Sequence, residues 1–206
     1  MQQSNQTPDG HTIKAGNGRI LVPLLGLSKR IDGLNERIGR SVYWLILVAV
    51  LISAANASIR YLVGNSSNAW LELQWVLFSA VFLLCAGYTL LHHQHVKVDI
   101  LYNRLPRRWQ LWIDVFGTLF FLLPMAFIVM WLSWPVFVEA FRSGEVSGNT
   151  GGLTLWWARL MVPVGFFLLL LQGLSELIKR LAILRAILPD HTFDEATGQA
   201  GKVQLP

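Results

Sequence analysis

Charge is scarce in this 206-residue chain: Asp, Glu, Lys and Arg together make up 14%, against about 25% in ordinary soluble domains. A water-soluble fold of this size could not cover its surface with so few charges, and the few there are cluster. From Val115 to Val138 there is no Asp, Glu, Lys, Arg or His at all. Cysteine is nearly absent too. Cys85, inside an apolar run, is the only one, which excludes an intramolecular disulfide framework and a cysteine-rich metal site. No glycine loop of the phosphate-cradling kind is present, and no Ser, Cys or Asp stands with a His in a nucleophile arrangement. The chain is therefore not expected to be an enzyme or to carry a cofactor.

What is abundant is apolar surface. Hydrophobic residues make up 53%, with nine Trp and eleven Phe, and the mean hydropathy is +0.46. Four apolar runs stand out, at about residues 41–63, 71–91, 111–138 and 153–178. Each reaches the roughly 20 residues that cross about 30 Å of hydrocarbon at 1.5 Å per residue. The runs are too long for barrel strands and do not alternate polar with apolar. The expected fold class is an all-α integral membrane protein with four transmembrane helices. Pro124 and Pro135 are expected to bend or end the third span.

Basic residues set the orientation. Six Lys and Arg precede Ser41, four lie between spans two and three, and four follow Ile178; only Arg60, Arg142 and Arg159 fall in the other two loops. Lys and Arg accumulate on the cytoplasmic side, so both termini and the middle loop are expected there. The formal charge of +5 is this same surplus, and it calls for membrane lipids rather than nucleic acid as a partner.

The expected organisation is a polar tail over 1–19, an amphipathic interfacial helix over 20–40, a membrane domain over 41–178 and a cytoplasmic tail over 179–206. In the second segment Leu24, Leu27, Ile31, Leu34 and Ile38 recur at spacings of three and four, with Lys29, Arg30, Glu36 and Arg37 between them. That is the pattern of a helix lying along a membrane surface. Val96 to Trp109 has a similar mixture.

Polar residues in or beside the spans are the candidates for function, since ionisable groups are costly in a membrane. Glu72, Asp114, Glu139 and Glu176 lie near span ends, within reach of the headgroups. Asn56, Gln74 and Gln172 are expected to join helices by hydrogen bonds. His92, His93 and His95 form the one dense histidine cluster, but only positions 92 and 95 share a helix face. Asp99 is the only carboxylate nearby, so hydrogen bonding at the membrane edge is expected there rather than metal binding. The glycine-rich stretch from Gly144 to Leu153 reads as a tight outer turn, with Glu145 or Ser147 capping span four or touching a partner. No buried cation, broken helix or internal repeat marks a self-contained transport path. Bulky Leu, Phe, Val and Trp fill the spans, which argues against the rival reading, an autonomous small oligomeric transporter or channel.

Taken together, these residues resemble the small, DctQ-like permease subunit of tripartite ATP-independent periplasmic (TRAP) transporters, over about residues 34–180. The likeness rests on Asn35-Glu36 with Gly39-Arg40, Arg60-Tyr61, Trp70-Leu-Glu72, His95-Val-Lys97-Val-Asp99, Asp114 with Gly117, and Pro124. It continues through Glu145-Val-Ser147, Gly151-Gly152-Leu153, Pro163-Val-Gly165-Phe166 and Leu171-Gln172-Gly173. There are departures: Leu73 follows Glu72 where many members have a second acid, Thr154 stands where many have Pro, and Arg159 where Lys is common.

The resemblance implies a three-part system. A periplasmic substrate-binding protein delivers an organic acid to a large multi-span permease subunit, and ion-gradient-driven, sodium-coupled symport follows. The small subunit is then a fixed membrane scaffold. Glu36, Arg40, His95, Lys97 and Asp99 would fix its cytoplasmic elements. Glu72, Arg142, Glu145 and Ser147 would face outward, toward the binding protein or the large subunit.

Overall fold

The computed structural model describes residues 18–64, 68–92, 105–149 and 152–184. Helix α1 runs over Gly18–Val63, α2 over Asn68–Leu91 and α3 over Arg107–Gly117. A π-helical turn, Thr118–Leu122, joins α3 to α4, Leu123–Ser143, and α5 covers Trp156–Leu184. Among the described residues there is no strand, only an isolated antiparallel bridge between Val146 and Thr154. Four helical runs are long and apolar enough to cross a membrane: Pro23–Leu62, Asn68–Leu91, Arg108–Ser143 and Trp156–Leu184. The protein is a four-span, all-α membrane protein.

The boundary expected near residue 40 does not interrupt the chain. α1 is one helix of 46 residues, about 69 Å at 1.5 Å per residue. Residues 41–59, bracketed by Arg40 and Arg60, carry no charge and measure about 29 Å, one hydrocarbon thickness. The polar half before them therefore extends past the apolar slab.

Burial inverts the pattern of a soluble bundle. Along α1 the inward stripe is Ser28, Ile31, Asn35, Gly39, Val42, Ala49 and Asn56, at steps of three, four and seven. Tyr43, Trp44, Leu47, Val50 and Leu51 point outward. Small and polar residues let helices approach closely and bond across, while bulky apolar ones meet lipid. In residues 20–40, Ile31 is buried but Leu27 and Leu34 are about half exposed. The expected apolar stripe thus flanks the buried one, which is displaced toward Ser28 and Asn35.

α5 is the hub. It packs against α1, α2 and α4, and 39% of its most apolar window is buried, against 11–17% for the other spans. α4 leans on α5, whereas α1 and α2 also pair with each other. Two close approaches depend on glycine. A Cβ on Gly87 would collide with the Asn35 carboxamide of α1, and one on Gly165 would lie 2.6 Å from the Leu83 Cβ of α2.

Span three changes register just before its first proline and does not end at its second. The Leu123 N–H reaches the Thr118 carbonyl five residues back, a widened register directly before Pro124. Such a turn accommodates a ring that would otherwise strike the carbonyl four residues earlier. The helix then passes Pro135 and ends at Gly144 (φ +61°), a left-handed cap that glycine adopts without strain.

Candidate functional site: two polar clusters at opposite ends of the bundle

The larger cluster ties the polar half of α1 to the end of α5. Ser28, Asp32 and Asn35 share one face of α1 by their spacing of four and three. Gln172, Ser175, Glu176 and Lys179 do the same on α5, which runs antiparallel to α1. Asp32 is the central acceptor: its Oδ1 takes bonds from Gln172 Nε2 (2.9 Å) and Ser175 Oγ (2.7 Å), and its Oδ2 lies 3.2 Å from Lys179 Nζ. The Ser28 and Ser175 hydroxyl oxygens are 2.6 Å apart. A hydroxyl carries one proton, and that of Ser175 goes to Asp32, so Ser28 donates to Ser175.

Gln172, fully buried, is held in one orientation. Its Oε1 accepts from Asn35 Nδ2 at 2.9 Å while its amide donates to Asp32; flipping it would set donor against donor and acceptor against acceptor. From Lys179 the chain of charges continues to Glu176 Oε1 (2.6 Å). Arg180 lies 3.8 Å from Glu176 and 2.6 Å from Asp114 on α3. Glu176, Lys179 and Arg180 are all buried. α1, α5 and α3 are thus joined by three acids and two bases, an arrangement in which removing one partner strands another in a low-dielectric site.

Beside this cluster, Glu36 accepts from Arg40 Nε (2.7 Å) and lies 2.8 Å from His92 Nε2, at the end of α2. The Arg40 side chain is 74% exposed, so the pair is worth little to stability. The contact between Glu36 and His92 is the one that ties α1 to the end of α2.

At the opposite end, one carboxylate at the start of α2 clasps the link between α4 and α5. Glu72 accepts from the Ser147 hydroxyl, from Asn149 Nδ2 and from the Leu153 backbone N–H (2.9 Å). The link is folded on itself by Ser147 N–H to the Leu153 carbonyl (3.0 Å) and Leu155 N–H to the Glu145 carbonyl (2.9 Å). Glu145 meets Arg159 of α5 at 2.6 Å.

Of the residues singled out from sequence, Glu72, Glu145 and Ser147 come together in this clasp. Gln172 and Asp114 belong to the larger cluster, and Glu36 and Arg40 form the rim beside it. Arg60 stands apart, in a cleft between α1 and α2 with Asn56 and Gln74. His95, Lys97 and Asp99 lie outside the described residues. Sequence reasoning missed Ser28 and Asp32, the role of Ser175, and the burial of Lys179 and Arg180, which begin the segment expected to be a cytoplasmic tail. The matching polar spacings on residues 28–35 and 172–179 were the available signal. Among the described residues no group of three or more His, Cys, Asp or Glu is arranged to hold a metal ion.

The family model described as "Tripartite ATP-independent periplasmic transporters, DctQ component" matches residues 47–183, about two-thirds of the chain. No curated protein matches the chain in a direct sequence comparison.

Proposed function

Since the chain belongs to the DctQ-component family of tripartite ATP-independent periplasmic transporters, we propose that it is the transporter's static brace. In this reading it holds the large permease subunit in the membrane while that subunit moves an organic acid, driven by a sodium gradient and delivered by a periplasmic binding protein. One observation carries the proposal. The chain's strongest polar groups bind its own helices to one another, Asp32 to Gln172, Ser175 and Lys179, and Arg180 to Asp114. Side chains locked in this way resist internal rearrangement. They do not line a path along which a substrate could exchange partners.

Orientation follows from the basic residues. With the α1–α5 cluster on the cytoplasmic side, Lys29, Arg30, Arg37 and Arg40 meet the anionic inner surface. The Glu72 clasp then faces the periplasm, where the link that it holds between α4 and α5 offers the binding protein a landing point. The test is uptake by reconstituted transporter with and without this chain, together with recovery of the large subunit in a mild-detergent pull-down. Gln172→Leu should lower recovery of the complex and leave substrate preference unchanged. Transport by this chain reconstituted alone would instead favour an autonomous carrier.

A further inference from the structure

Arg37 lines a groove of about 300 Å³ between α1 and α2. The rest of its lining is Ile38, Ser41, Val42, Leu45 and Leu84. Leu45 and Leu84 also line a second recess of about 380 Å³, walled by Leu73, Ala80, Trp157 and Met161 among others. The two recesses therefore share the Leu45 and Leu84 side chains as a common wall. From Arg37 to Leu45 the groove follows α1 for about 12 Å, close to the depth of one leaflet of a 30 Å hydrocarbon core. We propose that this groove is a phospholipid site, with the lipid phosphate at Arg37 and an acyl chain running past Leu45 and Leu84 into the second recess.

Three features on the protein select this occupant. Arg37 is exposed and has no carboxylate partner among the described residues, whereas Arg40 one turn on is paired with Glu36. A single cation above an apolar slot matches an amphiphile with an anionic head, because guanidinium binds phosphate through several donors at once. Apart from Arg37 and Ser41 the lining is aliphatic, which suits a chain of methylenes. The site lies in the leaflet on Arg37's side whichever way the protein is inserted, so it stands apart from the orientation proposed above.

The probe is phosphatidylglycerol, titrated onto the delipidated full-length chain and read as mass adducts by native mass spectrometry. One tight adduct is expected. Arg37→Ala should weaken it about tenfold to a hundredfold, the size of one lost charge-assisted bond. Arg30→Ala, which removes an exposed basic residue away from the groove, should leave it unchanged. Leu84→Trp fills space at the wall the two recesses share and should block the adduct while Arg37 remains; both variants are compared after confirming wild-type elution and unfolding temperature. Glycerol phosphate, a head without tails, should not compete. Equal weakening by Arg30→Ala, tight binding in both Arg37→Ala and Leu84→Trp, or full competition by glycerol phosphate would overturn the site. So would cross-links from position 84 to the large subunit, with no lipid retained, in the assembled transporter.

Discussion

The two ends of the bundle are tied by opposite means. At one, side chains from α1, α3 and α5, some about 140 residues apart in sequence, form a buried and distributed set of bonds centred on Asp32 and Gln172. At the other, a single carboxylate, Glu72, holds a short link through one hydroxyl, one carboxamide and one backbone N–H. The first arrangement sets how whole helices sit against one another. The second sets only the shape of a loop. A brace that must resist being dragged by a moving neighbour needs the first kind. A surface that must present one shape to a soluble partner needs only the second.

Substitutions should separate the two ends, and the largest effect is expected in the distributed cluster. Arg180→Ala removes the cation that meets Asp114 at 2.6 Å and leaves the buried Glu176 with Lys179 as its cation. It should destabilise the fold by about 3–5 kcal/mol, read as a lowered unfolding midpoint in detergent. Gly87→Ala pushes a methyl group into Asn35 at the α1–α2 crossing. Overpacking of this kind costs about 1–3 kcal/mol, and the same melt should show it. Glu72→Gln keeps the shape but puts a donor amide where one accepting oxygen stood. With the oxygen kept toward Ser147 and Asn149, the Leu153 N–H loses its acceptor and the other two bonds lose their charge, worth about 1–3 kcal/mol locally. Because the link opens without the helices, hydrogen exchange should speed up at the Leu153 amide while the global midpoint barely moves. Arg40→Ala, at the exposed rim pair, should change stability by less than about 1 kcal/mol. If Glu72→Gln lowered the global midpoint as far as Arg180→Ala, the distinction between the two ends would be lost.

Much of this architecture was legible in the sequence, for reasons that can be stated. Charge-free runs of bilayer length fix the spans, because burying an ion in hydrocarbon is so costly. Gln172 stood out as a polar residue inside an apolar run. The clasp was half visible: Glu145 and Ser147 flank a glycine-rich turn, but nothing in composition says that the turn folds back onto Glu72. The large cluster was hardest to see. Asp32 sits among Lys29, Arg30, Glu36 and Arg37, so it looks like one more solvated charge, and Lys179 and Arg180 look like the start of a basic tail. Only the facing spacing of Ser28, Asp32 and Asn35 against Gln172, Ser175 and Lys179 distinguishes a buried interface from a wet helix. That spacing has meaning only once α1 and α5 are known to pack antiparallel. The same dependence on partners explains α1 itself, whose inward stripe is the small and polar one.

The central claim is that this subunit stays rigid while the transporter works. It is tested most directly by locking α1 to α5. In a Cys85→Ser background, Ser28→Cys with Ser175→Cys places two thiols where hydroxyl oxygens now lie 2.6 Å apart, and oxidation should join them. The measurement is sodium-driven uptake by the reconstituted three-part transporter before oxidation, after it and after reduction. A static brace predicts the same uptake rate in all three states. Loss of uptake on oxidation, restored by reductant, would mean that α1 and α5 must part during transport and would contradict the account.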